Sequence, residues 1–357
     1  MHRVAWSVTP GTDWNKVRTH LGALLLLSVA AAHAQVAPCT VVADAMKEQL
    51  PRELTVIPWP PPANGYGYPP ALRVPLRGLS RDSFIARDGK RPVPVLSVDE
   101  DTGPRRIALV VMLDKRWRTE FHGGLAEAPR TAASAVLSNA RPEDSFALLT
   151  APGPRIAVPF GAATSELRAR TTQLLPSQTP LGRAQAVLNA LVEAADWFGR
   201  PQTGDSILLI GGFRRASRAR VSQVGKILVS RGVRVFVFGG ASDLVDCLDT
   251  LCIEQTPDVT LAVATGGANQ EMGYAGPKHP DESLRLWQNE AKSLYDIATL
   301  AYIVRLPSTG PRMRVGLSLD PGVLTYPSAL PPDLAAALSK ASVGAHLTYP
   351  RPLPVCP

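Results

Sequence analysis

Short apolar runs alternate with helix-length amphipathic segments between residues 105 and 326. The apolar runs are 106–113, 145–150, 206–210 and 233–238. The segments with helical spacing include 123–139, 182–198 and 217–231. Continuous apolar runs are typical of strands covered on both faces, and their alternation with helices implies right-handed crossovers. The pattern therefore predicts an α/β domain over 105–326 with a doubly wound, mostly parallel sheet.

The regions outside this domain show other patterns. Residues 71–104 have the texture of short strands with tight turns, and the pair Asp88-Gly89 is a hairpin signal, so we predict a small N-terminal β hairpin element there. Residues 35–70 end in a Pro-rich run and are predicted to form a linker or strap. Residues 327–357 are predicted to form a C-terminal tail.

The first 34 residues have the pattern of a secretory signal peptide. Basic residues precede an apolar run over 21–31, and Ala32 and Ala34 supply the small residues of a cleavage site. The apolar run is short for a bilayer span, which needs about 20 residues. We therefore expect an exported protein, periplasmic or extracellular, with no membrane span after cleavage. An uncleaved anchor is the alternative.

The four cysteines suit an oxidising compartment. We predict the pairs Cys247–Cys252, which would close a short loop, and Cys39–Cys356, which would join the two ends of the mature chain. Two other pairings stay open. Metal binding is the weaker interpretation, because no Cys-x-x-Cys occurs and the histidines of the mature chain lie far from the cysteines in sequence.

The amino-acid composition and net charge argue against several classes of protein and of binding partner. The chain is 45% hydrophobic and 19% charged, which argues against full-length disorder and against a multi-span membrane protein. The formal net charge is +8, with 38 Lys and Arg against 30 Asp and Glu. Basic residues do not interleave with aromatic ones and the chain is predicted to be exported, so we expect no nucleic-acid partner.

Three short motifs, in their order and spacing, resemble those of von Willebrand factor A-type domains. Residues 78–90 resemble the family's lead-in hairpin, 261–267 its Leu-Ala-x-x-Thr-Gly-Gly motif, and 302–315 its closing strands. More narrowly, the chain resembles the VWFA-related exported proteins of Acidobacteria. The resemblance covers roughly 72–326 and implies a von Willebrand A-like, Rossmann-like fold.

The resemblance also implies where a metal would bind, because such domains usually hold Mg²⁺ at the carboxyl ends of the sheet. The family pattern is Asp-x-Ser-x-Ser after the first strand, a Thr from a later loop and an Asp after the fourth strand. Here Asp114 matches and Thr179 is a candidate, but Arg116 and Arg118 occupy both Ser positions and 210–212 lacks the Asp. Since Mg²⁺ needs about six hard oxygen ligands, we expect a degenerate metal-ion-dependent adhesion site that binds no metal.

The same substitutions bring basic residues to loops that should converge. Guanidinium groups bind carboxylates and phosphates, often bidentately, which predicts a metal-independent site for an anion or an acidic protein. Trp117 and Phe213 would anchor an interface if exposed and would pin their loops if buried. The alternative is a decayed site whose arginines only solvate loops. We call the predicted binding residues the arginine-rich rim: Asp114, Lys115, Arg116, Trp117, Arg118, Thr179, Arg183, Phe213, Arg214 and Arg215.

Catalytic motifs are lacking in the sequence. It has no Gly-x-Ser-x-Gly elbow, no phosphate-binding P-loop and no His-Glu-x-x-His. We therefore expect a non-catalytic interaction module, without a cofactor, that binds a protein or an anionic envelope component. Two alternatives stay open: an enzyme of unknown class that acts on an anionic substrate, and a purely structural envelope protein.

Overall fold

A computed structural model describes most of the predicted α/β domain and parts of its flanks. The described residues are 39–49, 72–113, 126–176, 184–213, 216–240, 256–273, 280–307, 315–320 and 345–351. All of them belong to one compact unit, Pro38–Cys356. The predicted signal peptide lies outside the described residues, as do most of the predicted linker and tail.

The elements follow one another in an order close to the expected alternation. The strands are β1 Cys39–Gln49, β2 Leu72–Pro75, β3 Phe84–Asp88, β4 Arg91–Val93, β5 Ser97–Asp101, β6 Arg106–Val111, β7 Ser145–Thr150, β8 Ala157–Val158, β9 Ser206–Ile210, β10 Arg234–Gly240, β11 Asn269–Met272, β12 Ala301–Leu306, β13 Val315–Leu319 and β14 Ala345–Thr348. The helices are α1 Ala128–Ser138, α2 Thr164–Thr171, α3 Ala184–Asp196, α4 Arg218–Ser230, α5 Pro257–Thr265 and α6 Pro280–Thr299.

A six-stranded sheet forms the centre of the domain. Its strand order is β11-β10-β9-β6-β7-β8. Counted along the chain from β6, this is 3-2-1-4-5-6, the order of doubly wound folds. The pairings are parallel except that of β7 with the edge strand β8, which is antiparallel.

Helices cover both faces of the central sheet. Leu109 and Val111 of β6 pack on one face with residues of α1 and α6. Ala108 and Val110 of the same strand pack on the opposite face with residues of α3, α4 and α5. Because both faces are buried, alternate residues of the strand meet different helices and the whole run is apolar.

The remaining strands pair antiparallel, so the chain as a whole is a mixed α/β structure rather than one mostly parallel sheet. One sheet has the order β14-β1-β12-β5 with β2 beside β1, and the other is β13-β3-β4. Cys39 of β1 pairs with Leu306 of β12, so two segments far apart in the sequence meet in one sheet. Local sequence pattern could not reveal the pairing of β1 with β12, because these two strands are more than 200 residues apart.

Two segments that the sequence predicted to be a linker and a tail contain strands. Cys39–Gln49 lies in the region expected to be a linker, yet it is the strand β1, with Val41 and Ala43 fully buried. Ala345–Thr348 lies in the expected tail and pairs with β1 as β14. Alternate residues of β1 reach the core, which explains why this segment is ordered as a strand.

The Thr-Gly-Gly motif that contributed to the resemblance has a structural role. The Thr265 hydroxyl accepts a hydrogen bond from the Val235 backbone N–H at 3.0 Å. Gly266 ends α5 with φ +80°, a left-handed conformation that glycine adopts without strain. A Cβ at Gly267 would lie 2.0 Å from the Val235 carbonyl oxygen, so only glycine fits. The motif therefore fixes α5 to the start of β10.

Charged side chains meet at the amino edge of the central sheet. Arg106 of β6 donates two hydrogen bonds to the Asp205 carboxylate, at 2.9 and 2.6 Å. Asp44 of β1 and Arg234 of β10 form an ion pair whose side chains are only 1% and 3% exposed. This pair joins the antiparallel sheet to the central one. In the part of the chain that the structure describes, Asp44 Oδ1 and Arg234 Nε have no hydrogen-bond partner.

Candidate functional site

Most of the arginine-rich rim lies outside the residues that the structure describes. Phe213 is the member whose surroundings the structure gives. Those outside are Asp114, Lys115, Arg116, Trp117, Arg118, Thr179, Arg183, Arg214 and Arg215. The convergence of the rim residues therefore stays a prediction, but the strand ends from which the rim segments start are described.

The carboxyl ends of β6, β9 and β10 are held side by side. The Met112 N–H, just beyond β6, donates to the Ile210 carbonyl at 3.0 Å. The Gly211 N–H, just beyond β9, donates to the Phe238 carbonyl at 2.8 Å. Gly211 has φ +116° and a Cβ there would lie 2.7 Å from the Met112 sulfur, so this close approach requires glycine. The segments that follow β6 and β9 thus leave the sheet from neighbouring strands.

Phe213 is buried, with 2% of its surface exposed. It belongs to the apolar cluster between the sheet and α3, α4 and α5. Of the two roles considered for this side chain, the buried one applies: Phe213 pins the loop after β9 and is not an exposed interface anchor.

A buried carboxylate that we did not expect lies under this loop. Asp258, in the first turn of α5, is 7% exposed, and its Oδ2 accepts a hydrogen bond from the Phe213 N–H at 3.2 Å. Its Oδ1 accepts from the Val259 N–H at 2.9 Å. Burial raises the pKa of Asp258, and hydrogen bonds from the Thr256 side chain and from backbone amides oppose the rise. The sequence did carry a signal, since Thr-Pro-Asp at 256–258 is typical of a helix start.

A second buried acid lies where β11 ends. Glu290 of α6 is fully buried, and both of its carboxyl oxygens lie 2.9 Å from the Gly273 backbone nitrogen, which donates to them. Trp287, one turn earlier, donates from its indole N–H to the Gly273 carbonyl. Burial, with a smaller contribution from Glu271, raises the pKa of Glu290 well above its usual range.

The strand ends that the structure describes do not fit the Mg²⁺ ion that the resemblance implies. Within the described ranges, no three His, Cys, Asp or Glu side chains are grouped so that they could hold a metal ion. At the end of β9 stand Gly211 and Gly212, which offer no side-chain oxygen. Asp258 is near them, but both of its oxygens already accept backbone hydrogen bonds. Asp114 and Thr179 lie outside the described residues.

The cysteine predictions stay predictions. Cys39 is buried in β1, opposite Leu306. Its predicted partner Cys356 lies outside the described residues, as do Cys247 and Cys252.

In the described part of the chain, no helix is both long and apolar enough to cross a membrane.

Comparison with known proteins finds solved structures that resemble this chain only weakly, in both sequence and structure. No protein-family model matches the sequence, and no curated protein matches it either. A solved structure of von Willebrand factor type A from Catenulispora acidiphila has a TM-score of 0.38 and 8% identity, over 73% of this chain and 51% of that one. The proximal thread matrix protein 1 of the mussel byssus has a TM-score of 0.40 and 10% identity, over 58% and 50%.

A third similar structure is an aerotolerance-related membrane protein from Bacteroides fragilis NCTC 9343. Its TM-score is 0.36 at 13% identity, over 51% of this chain and 98% of that one. This chain thus spans about half the length of the first two structures. All three TM-scores lie below 0.5, so the class of fold rests on strand order. By that criterion the chain is a mixed α/β structure whose central sheet has the strand order 3-2-1-4-5-6.

Proposed function

We propose that this chain is an exported, von Willebrand A-like interaction module. It binds a protein or an anionic envelope component through the arginine-rich rim, without a metal and without catalysis. The degenerate metal site and the narrower resemblance to VWFA-related proteins are part of this proposal.

One observation supports the proposal most directly. β6 and β9 are hydrogen-bonded neighbours in the central sheet, with Val111 opposite Ile210. The basic segments 115–118 and 214–215 follow these two strands closely in sequence. Their starting points therefore lie at one edge, and that carboxyl edge is where open α/β sheets bind ligands.

The chemistry of the rim favours an anionic partner. Arginine stays charged at any physiological pH and matches the planar geometry of carboxylates and phosphates. A guanidinium group can bind a partner's carboxylate where a divalent cation would otherwise bind it, because it is positively charged and donates hydrogen bonds to the carboxylate oxygens. Asp258 and Glu290, the two acids that we described near the strand ends, are buried and present little negative charge to such a partner.

The test compares the mature wild-type chain with two variants of equal charge. The rim variant carries Arg116→Ala, Arg118→Ala, Arg214→Ala and Arg215→Ala. The matched control removes four exposed arginines of the described structure: Arg81, Arg87, Arg91 and Arg170. Each protein is titrated with inorganic pyrophosphate and used for affinity capture from envelope extract, with and without EDTA.

We expect the rim variant to bind pyrophosphate about tenfold more weakly, while the control stays within about twofold of wild type. The captured partner should be lost from the rim variant alone and should survive EDTA. Loss with EDTA would mean that the site depends on a metal. Equal binding by all three proteins would move the binding surface elsewhere and leave the rim without a role.

A further inference from the structure

We propose that Asp258 is a positioning residue of the arginine-rich rim, which fixes the direction in which the loop after β9 leaves the sheet. This inference rests on the proposed function. It concerns the loop that begins with Gly211 and Gly212 and continues through Phe213 into Arg214 and Arg215.

The hydrogen bonds of Asp258 connect this loop to a helix. Its Oδ2 accepts from the Phe213 N–H, one residue before the first rim arginine of this loop. Its Oδ1 accepts from the Val259 N–H in the first turn of α5, and the Thr256 side chain adds a further hydrogen bond. The carboxylate thus joins the exit of β9 directly to the first turn of α5.

Two glycines leave room for the Asp258 carboxylate between the strand ends. A Cβ at Gly212 would lie 2.5 Å from Asp258 Oδ2, inside contact distance. A Cβ at Gly239, at the end of β10, would lie 4.0 Å from the same oxygen. The carboxylate therefore sits between the ends of β9 and β10, where a larger residue at 212 would displace it.

A positioning role and a purely electrostatic role of Asp258 predict opposite changes in anion affinity when the carboxylate is removed. A carboxylate below an arginine-rich surface repels an anion there, so its removal should tighten anion binding if charge alone matters. If Asp258 orients the loop, its removal leaves the Phe213 amide without its acceptor and weakens anion binding. The hydrogen-bond partners of Asp258 among the described residues are neutral: the Thr256 side chain and the amides of Phe213 and Val259.

The test uses Asp258→Ala, Asp258→Asn and a control at the far end of the same helix, Thr265→Val. The control removes a buried hydrogen bond of α5 without touching the loop, so it separates positioning from loss of stability. Pyrophosphate affinity is measured by calorimetry at a temperature where every protein is folded. Hydrogen exchange of the Phe213 amide, followed by NMR, reports the loop directly.

We expect Asp258→Ala to bind pyrophosphate about tenfold more weakly and to exchange the Phe213 amide faster. Asp258→Asn should recover part of the affinity, because its amide oxygen can accept from the Phe213 N–H while its NH2 group cannot accept from the Val259 N–H. Thr265→Val should lose stability and keep wild-type affinity. Equal or tighter binding by Asp258→Ala, or equal weakening by Thr265→Val, would overturn the inference.

The two proposals fail in different ways. If wild type itself does not bind pyrophosphate, or the four-arginine variant binds as well as wild type, the proposed function fails and takes the rim role of Asp258 with it. If wild type binds and the rim variant does not, the Asp258 variants decide the inference by themselves. An unchanged exchange rate of the Phe213 amide in Asp258→Ala would overturn it in either case.

Discussion

The buried ion pair between Asp44 and Arg234 makes a prediction about stability that can be worked out from the structure. The two side chains are almost fully buried and connect β1 of the antiparallel sheet to β10 of the central sheet. Arg234 also donates to the Ala298 carbonyl and lies 5.1 Å from the centre of the Phe236 ring. We consider three variants: Asp44→Leu, Arg234→Met and the combination of both.

Each single variant should be strongly destabilised. Removing one member of a buried pair leaves the other charge without compensation, which costs about 3–5 kcal/mol. The combined variant should regain most of that loss, because replacing a whole buried pair by apolar residues is often close to neutral. The unpartnered Asp44 Oδ1 and Arg234 Nε strengthen this expectation, since desolvation of these atoms is not offset by a hydrogen bond within the described structure.

The same pair sets a pH dependence with a definite sign. Burial raises the pKa of Asp44 from 3.8 to about 6, against the opposing charge and hydrogen bond of Arg234 and the charge of Arg105. The folded chain therefore binds this proton more tightly than the unfolded chain. Stability from this group is full below about pH 4 and is lost as the pH rises to about 6. A shift of about 2 pH units corresponds to about 3 kcal/mol.

Urea unfolding at a series of pH values from 4 to 8 would measure both effects. The difference between wild type and the combined variant isolates the contribution of Asp44 from those of other buried acids. We expect wild type to lose about 3 kcal/mol relative to the combined variant over that range. A combined variant as unstable as the single ones, or a wild type that gains relative stability as the pH rises, would refute the reasoning.

Three further predictions follow from other sites. Glu290→Gln should raise the urea midpoint at pH 8 and change it little at pH 4.5, because the raised pKa means that ionised Glu290 destabilises the fold at high pH; a larger gain at the lower pH would contradict this. Gly267→Ala should cost more than about 4 kcal/mol, since its Cβ would overlap the Val235 carbonyl, and thermal unfolding would show it. Peptide mapping without reductant should detect a disulfide-linked pair of peptides that contain Cys39 and Cys356. Any other linkage would contradict the predicted pairing.

The sequence by itself determined the four buried strands of the central sheet and the helices that cover them, but it did not predict the edge strand β11. The apolar runs that became β6, β7, β9 and β10 are buried on both faces, and burial on both faces requires a continuous apolar run in the sequence. The helix expected at 217–231 is Arg218–Ser230, beginning at Ser217, whose side chain accepts from the Arg220 N–H. Such signals are local, and for that reason the sequence contains them.

Tertiary structure alone decided how distant segments meet. β1 pairs with β12 and β14, and no local pattern identifies a strand's partner at the other end of the chain. The burial of Phe213 and Asp258 likewise depends on the packing of α5 against the sheet. The exposure of a side chain depends on neighbours that only the folded chain brings together. For that reason the sequence could not decide whether Phe213 is an exposed interface residue or a buried one, or whether Asp258 is free or hydrogen-bonded.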